Sequence, residues 1–171
     1  MAVQAAGENC RCKKNRFFGS DDSGISREIL FVWACSGCLE KSIYRKTSEL
    51  IAEFKKSGMR SDYDAAYIQY DENVQKGKFT EYDNTILLVD ERPATGQYEI
   101  LPGGRYITAY HVGHWMNIGQ TYERLLQYKE QHHLKTESFY IERYVVDNFI
   151  AKEIEDYVTE VAVRILDASD R

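Results

Sequence analysis

The sequence predicts an α+β fold built from two related units, each with the order strand, helix, strand, strand. The two units are expected to share one mostly antiparallel sheet with both helices on one face. Two observations support this prediction: the halves resemble each other at an offset of 74 residues, and strand-like and helix-like apolar periodicities follow in the same order in each half. Because neither unit can bury its apolar face alone, we expect them to pack around a pseudo-twofold axis.

The first repeat is predicted over residues 26–92. It opens with a β-branched and aromatic run at residues 29–33, which is typical of a strand over residues 27–35. Apolar residues then recur at helical spacing over residues 39–56, and Ser57-Gly58 ends the helix. Two further strands are predicted at residues 64–70 and 82–90, with a polar connection over residues 71–79.

The second repeat is predicted over residues 97–166. It starts with strands at residues 98–101 and 105–112, which are separated by the turn Pro102-Gly103-Gly104. A helix over residues 116–133 directs Ile118, Tyr122 and Leu125 toward the sheet. Strands at residues 139–145 and 157–165 complete the unit, and residues 26–171 are expected to form one domain.

Residues 1–25 carry no sustained periodicity, so we interpret them as a leader or the remnant of a linker. The net charge of −5 argues against a surface that grips phosphate backbones by itself. The chain contains no run of eighteen apolar residues and no secretory signal pattern, so we expect a cytoplasmic protein with no membrane segment.

A carboxylate among aromatic rings is the main candidate for a binding site. The 74-residue offset aligns Ile68 and Ile86 of the first repeat with Glu142 and Glu160 of the second. Strand alternation places Glu142 on the same face as Tyr140 and Tyr144. Burial there raises the pKa of a carboxylate, and a hydrophobic cation would relieve the cost of desolvation while stacking on the rings. In the alternative interpretation, Glu142 pairs with a local arginine or lies at a sheet edge, and the tyrosines simply cover the sheet.

Three further side chains are candidates for the wall of the same groove. Trp33 and Trp115 lie near equivalent strand-to-helix turns of the two repeats, and each is either a groove wall or part of the core. His111 is a candidate hydrogen-bond partner for a ligand, although a lone strand histidine is more often structural.

All four cysteines lie near the N-terminus, as Cys10-x-Cys12 and Cys35-x-x-Cys38. Short paired spacings of this kind indicate a structural zinc site that would fix the leader to the domain. A redox pair at a helix N-terminus and four unconnected thiols are the alternatives.

Several segments, in their order and spacing, resemble the gyrase-inhibitor-like (GyrI-like) family, which includes effector-binding domains of MerR-class multidrug-sensing transcription regulators. The resemblance covers residues 26–166 and is carried by residues 101–106, 113–115, 125–128, 141–144 and 156–161. It implies a flat lipophilic cation bound between the two repeats, around a buried carboxylate that corresponds to Glu142. The ring that opens the last strand is then Tyr157, and its counterpart in the first repeat is Tyr82. The resulting set of candidate ligand-binding residues is Glu142, Tyr144, Tyr157, Tyr82, Trp115, Trp33, Tyr70 and His111.

The resemblance implies a small-molecule effector-binding domain of a transcription regulator, which would contact DNA only through a separate N-terminal domain. Ligand is expected to shift the arrangement of the two repeats or of a homodimer. No cofactor is required in this interpretation, and no residue is assigned a catalytic role. The alternatives are a standalone hydrolase of strained-ring genotoxic compounds, in which Glu142 activates water beside Tyr144 or Tyr157, and a module that binds gyrase or another protein.

Overall fold

The computed structural model describes residues 11–14, 28–38, 40–58, 63–89, 98–101 and 103–166. The strands are β1 (Arg11–Lys14), β2 (Glu28–Cys38), β3 (Tyr63–Tyr70), β4 (Tyr82–Val89), β5 (Tyr98–Leu101), β6 (Arg105–Val112), β7 (Phe139–Val146) and β8 (Val158–Arg164). The helices are α1 (Glu40–Lys56), the short α2 (Asp71–Gln75) and α3 (Gly119–Gln131), with single 3-10 turns at Trp115–Asn117 and Ile154–Asp156. None of the helices in these ranges combines the length and the apolar character needed to cross a bilayer.

The strands form one sheet in the order β1-β6-β8-β7-β3-β4-β2-β5. Every strand pairing in the described ranges is antiparallel. From β1, the order is an edge strand followed by the first, third and second strands of the second repeat (β6, β8, β7). From β5, it is an edge strand followed by the first, third and second strands of the first repeat (β2, β4, β3). The pseudo-twofold axis therefore passes between β3 and β7. The predicted α+β fold with two related repeats is therefore confirmed.

Both long helices pack on the same face of the sheet. Leu50 and Phe54 of α1 lie in one buried cluster with Leu87 of β4, and Leu125 of α3 lies in another with Val161 of β8. Residues directly opposite in antiparallel strands point to the same side. The register from β4 through β3 and β7 to β8 places both clusters on one side, as predicted.

The central part of the opposite sheet face is also buried. A second core cluster lies on that face, with members 0% to 6% exposed: Ala66, Ile68, Ile86, Leu88, Leu101, Tyr106, Ile141 and Ala162. The seam between the helices is thus the place where a site between the repeats has to be sought.

The sheet register also corrects the offset between the repeats. An offset of 74 residues matches Ile68 with Glu142, but Ile68 lies opposite Ile141 and faces away from the helices. A twofold axis perpendicular to the sheet keeps each residue on its own face, so these two positions cannot be equivalent. An offset of 75 residues places matched residues of β3 and β7, and of the two helices, on the same side of the sheet. It makes Tyr67 the counterpart of Glu142, and these two residues lie directly opposite each other.

The helices follow the same 75-residue offset. The sheet-facing residues of α1, Ile43, Thr47 and Leu50, correspond to Ile118, Tyr122 and Leu125 around α3, and all six are buried. The 74-residue alignment was favoured by similar residue types, which the pairing of strands overrides.

Local differences from the predicted elements are small. Residues Arg11–Lys14, predicted as leader, form an edge strand on β6, and the polar connection contains α2. Strand β2 continues to Cys38 through a register shift instead of turning at Ser36-Gly37. Helix α1 ends before Ser57-Gly58 as predicted, where Gly58 adopts a φ of +80° that suits glycine.

Candidate functional site

Glu142 lies in the middle of β7, on the helix-covered face and beside the pseudo-twofold axis. Its side chain is fully enclosed, since the residue is only 1% exposed. The hydroxyl of Tyr82 donates a hydrogen bond to Oε2 at 2.9 Å, and the hydroxyl of Tyr122 donates one to Oε1 at 2.5 Å. Both carboxylate oxygens therefore have a donor, one from each repeat.

The electrostatic environment of Glu142 favours its protonated form more than usual. Burial raises the pKa of this carboxyl to about 7, and the two tyrosine hydrogen bonds only partly oppose that shift. Burial likewise raises the pKa of Tyr82 and of Tyr122 well above the ordinary tyrosine value, so both remain neutral donors. Among the described side chains, no lysine or arginine forms an ion pair with Glu142. The expectation that burial perturbs this carboxyl is borne out in direction.

Aromatic rings form one wall beside the carboxylate. Tyr67 lies directly opposite Glu142, with its ring centroid 4.8 Å from that of Tyr82 and 5.9 Å from that of Tyr144. Ile43 of α1 packs on these three rings. Tyr144 is half-buried and its hydroxyl is hydrogen-bonded with Tyr44, which is 48% exposed on α1. The ring cluster therefore connects the buried carboxylate to solvent on the α1 side.

Equivalent positions in the two repeats make equivalent contacts with different chemistry. In the second repeat, Tyr122 of α3 hydrogen-bonds Glu142 at the centre of the sheet. In the first repeat, its counterpart Thr47 of α1 hydrogen-bonds Tyr67 and lies 2.7 Å from the hydroxyl of Thr85. The same architecture thus supports an acid in one repeat and a neutral phenol in the other.

The other predicted ligand-binding residues lie at varied distances from this centre. Tyr70 is 44% exposed on the opposite sheet face, where its hydroxyl accepts a hydrogen bond from Asn84. Tyr157 precedes β8 and its carbonyl accepts a hydrogen bond from the Gly113 amide. Trp115 stacks on His114 at 4.1 Å. None of these contacts involves the ring cluster around Glu142, so their role as ligand contacts stays a prediction.

His111 is on the helix-covered face, but both of its ring nitrogens are engaged. Nδ1 lies 3.2 Å from the Thr121 hydroxyl and Nε2 lies 2.9 Å from the His114 carbonyl. These contacts tie the end of β6 to α3, which is the structural role weighed above. The backbone of Trp33, on β2, lies opposite Thr85 of β4. The side chain of Trp33 is not among those that the structure describes.

The zinc hypothesis concerns side chains outside the described residues. Cys10 is not described at all, and only the backbone is described at the other three positions. Cys12 lies on β1, whereas Cys35 and Cys38 lie on β2, with five strands between β1 and β2 in the sheet order. A single ion with all four thiolates would therefore require distant parts of the sheet to meet, and the site stays a prediction.

Sequence reasoning missed three residues of the centre: Tyr67, Tyr122 and Phe79. Helical spacing had directed Tyr122 toward the sheet, but spacing does not say which strand residue a helix contacts. Tyr67 was missed because the 74-residue offset matched Glu142 with Ile68 instead of Tyr67. Phe79, whose ring stacks on Tyr122, lies in the polar connection, which carried no periodic signal.

The duplicated strand-helix-strand-strand units, which share one antiparallel sheet and enclose an acid between them, define a class of α+β domains with internal pseudo-twofold symmetry. The model of the GyrI-like small molecule binding domain matches residues 37–166 of this chain. The chain belongs to the GyrI-like family.

Solved structures show the same fold at low sequence identity. The crystal structure of the EcmrR C-terminal domain matches with a TM-score of 0.67 and 14% identity, over 83% of this chain and 93% of that one. EcmrR in a cryo-EM complex with DNA matches with a TM-score of 0.66 and 14% identity, over 81% of this chain. An uncharacterized conserved protein from Listeria innocua matches with a TM-score of 0.60 and 13% identity, over 83% of this chain and 89% of that one.

The chain spans about half, 54%, of the EcmrR chain in the DNA complex. A comparison with curated proteins found no match.

Proposed function

We propose that this domain binds a lipophilic aromatic cation at Glu142 and acts as the effector-binding domain of a cytoplasmic transcription regulator. The observation that carries the proposal is Glu142 itself: a carboxylate that is 1% exposed, with two tyrosine donors and no cationic partner among the described side chains. A buried carboxylate of this kind gains most from a cation, because the cation offsets a desolvation cost that hydrogen bonds offset only in part.

The surrounding rings supply the apolar part of the proposed site. Tyr67 packs within 6 Å of both Tyr82 and Tyr144, and Tyr82 hydrogen-bonds the carboxylate. Their neutral faces attract a desolvated cation, with roughly 2 kcal/mol for a well-placed ring. A guest reaches Glu142 by displacing rings of this cluster, and the Tyr44–Tyr144 pair lies on its solvent side.

A binding titration tests the cation hypothesis. Methyltriphenylphosphonium, tetraphenylphosphonium and rhodamine 6G are titrated into the protein while intrinsic fluorescence and heat are recorded, with neutral triphenylphosphine oxide as the uncharged probe. Glu142→Gln should weaken each cation roughly tenfold or more while leaving the neutral probe unchanged. The proposal would be overturned if none of the three cations changed the fluorescence or released heat, or if wild type and Glu142→Gln bound the cations with equal affinity.

Glu160→Gln is the matched control variant for this titration. Glu160 is also a buried acid, at 3% exposure, but it lies on the helix-free side of the sheet opposite Arg143. Its removal should change stability and leave cation affinity within about twofold of wild type.

The pH dependence of binding adds a second criterion. A cation that binds the carboxylate must displace the proton that Glu142 holds when its pKa is about 7. Affinity should therefore fall roughly tenfold for each pH unit below 7 and level off above it. In Glu142→Gln this dependence should disappear.

The regulator half of the proposal draws on the likeness in fold to EcmrR, a protein that binds DNA in its own complex. DNA contacts would come from a separate N-terminal domain, and ligand would shift the arrangement of the two repeats or of a homodimer. The mass of the native gene product tests this half. A native product without a DNA-binding segment would contradict it and leave ligand binding intact.

Hydrolysis of a reactive electrophile is the second candidate function. It is favoured by the Glu142 pKa of about 7, which suits a general base near neutral pH. Mass spectrometry of strained-ring compounds after incubation separates the two candidates. A binder returns the compound unchanged, whereas a hydrolase releases a product that contains one added water, and Glu142→Gln stops its formation.

A further inference from the structure

The first repeat contributes a ring to the acid of the second repeat through an indirect contact. Phe79 lies in the connection between α2 and β4, and its ring stacks on Tyr122 with centroids 5.3 Å apart and planes 21° apart. Tyr122 is fully buried, and its ring also makes an edge contact with that of Tyr140, with centroids 5.3 Å apart. The tyrosine that donates to Glu142 thus packs against two aromatic neighbours.

The start of α3 leaves space for Phe79 only because it has no side chain there. A Cβ atom at Gly119 would lie 2.8 Å from Cδ2 and 3.1 Å from Cε2 of Phe79. Cβ atoms essentially never approach another atom as closely as 2.8 Å, so a side chain at this position would require the Phe79 ring to shift. Gly119 therefore permits the close seat that Phe79 occupies.

The segment that carries Phe79 is itself anchored. The amide of Lys78 donates to the Asn73 carbonyl at 2.9 Å and that of Gly77 to the Val74 carbonyl at 3.0 Å. The carbonyl of Lys78 accepts a hydrogen bond from the buried Gln69 side chain. The position of the Phe79 ring is therefore set by backbone anchors as well as by stacking.

We propose that Phe79, seated against Gly119, is a positioning residue that holds the Tyr122 hydroxyl on Oε1 of Glu142. A phenol whose ring can tilt loses the alignment that a short hydrogen bond needs. The loop of the first repeat thereby controls how well the carboxylate of Glu142, in the second repeat, is hydrogen-bonded. This role deepens the proposed function, because Glu142 anchors the guest there, but its test requires no ligand.

The titration of Glu142 reports this role directly. Its midpoint is measured in the ligand-free protein by the ¹³C chemical shift of the side-chain carboxyl, assigned with Glu142→Gln. Since the Tyr122 hydrogen bond favours the charged form, Tyr122→Phe should raise the midpoint by about one pH unit. Phe79→Leu and Gly119→Ala should raise it in the same direction by a smaller amount.

A double variant separates positioning from general loosening of the core. If Phe79 acts through Tyr122, Phe79→Leu combined with Tyr122→Phe should shift the midpoint no further than Tyr122→Phe alone. Phe54→Leu is the matched control, because Phe54 is a buried ring that contacts Tyr63 and lies in a core cluster that contains neither Glu142 nor Tyr122. It should lower stability and leave the midpoint within about 0.2 pH units.

The proposal is overturned if Phe79→Leu moves the midpoint no more than Phe54→Leu, or if the shifts of Phe79→Leu and Tyr122→Phe add. The outcome is independent of the proposed function. If cations bind but Phe79→Leu leaves the Glu142 titration unchanged, only the positioning role is refuted. If Phe79→Leu shifts the titration but no cation binds, only the proposed ligand is refuted.

Discussion

Glu142 and Glu160 are two buried acids on neighbouring strands, and they face opposite sides of the sheet. Their exposures, 1% and 3%, are nearly the same. Glu160 accepts hydrogen bonds from Arg143 Nε and from the Tyr110 hydroxyl, both at 2.8 Å. Glu142 accepts from two tyrosines and has no cation beside it among the described side chains.

The difference teaches that burial alone does not mark a binding site. Glu160 has its counter-charge inside the fold, so an incoming cation would have to displace Arg143. Glu142 has no such counter-charge among the described side chains, so the proposed cation would offset a desolvation cost that the fold itself leaves in place. Three experiments test this contrast between the acids.

The largest effect is expected from removing the counter-charge of Glu160. Arg143→Met leaves a buried carboxylate with only the Tyr110 hydroxyl, and it should lower the free energy of unfolding by roughly 3 to 5 kcal/mol at neutral pH. Urea unfolding measures the loss. Adding Glu160→Gln to this variant should recover most of it, and a double variant as unstable as Arg143→Met would contradict the assigned pairing.

The next effect concerns Glu142 and pH. The Glu142 carboxyl has a pKa of about 7 in the folded state, against the ordinary glutamate value of 4.5 that the unfolded chain approaches. Its stabilising contribution is thus complete below pH 4.5 and is lost as the pH rises to about 7, by roughly 3 kcal/mol. The difference in unfolding free energy between wild type and Glu142→Gln, measured from pH 4.5 to 8, should change by that amount.

A flat difference between these two proteins across the same pH range would mean that Glu142 is already charged in the folded state. Glu160→Gln in a parallel series controls for the general effect of losing a buried acid.

The smallest effects come from removing one tyrosine donor at each acid. Tyr122→Phe should cost about 2 kcal/mol at pH 8, because Glu142 then keeps a single donor for its charge. Tyr110→Phe should cost about 1 kcal/mol, since Arg143 still serves Glu160. Equal costs in thermal or urea unfolding would show that the arginine does not distinguish the two sites.

The elements of the fold were predicted from periodicity, whereas Glu142 was singled out by the family resemblance and by a repeat comparison that the sheet register corrects. Alternation along β7 placed Glu142 with Tyr140 and Tyr144, and helical spacing turned Tyr122 toward the sheet. These periodic patterns do not predict which side chains of different elements come into contact. Whether Tyr122 or another ring meets Glu142 depends on the register and on helix position, which no local pattern encodes.

The same limit explains the other differences. Strand β1 is formed by backbone pairing with β6. A segment of four residues is too short to show a periodicity that would predict this pairing. The repeat offset was off by one residue because similarity of residue type does not record which face of a strand a side chain occupies. The role of Phe79 depends on the missing side chain at Gly119, a feature that becomes meaningful only once the ring lies beside it.

Tyr67 and Glu142 meet across the pseudo-twofold axis, and this position has a consequence for how such a binder can be built. Two identical subunits must present the same residue twice at their axis, which gives either a pair of repelling acids or a pair of inert phenols. Joining both halves in one polypeptide removes that restriction. A lone negative charge can then occupy the centre of an otherwise symmetric frame, and a monovalent guest finds a single complement.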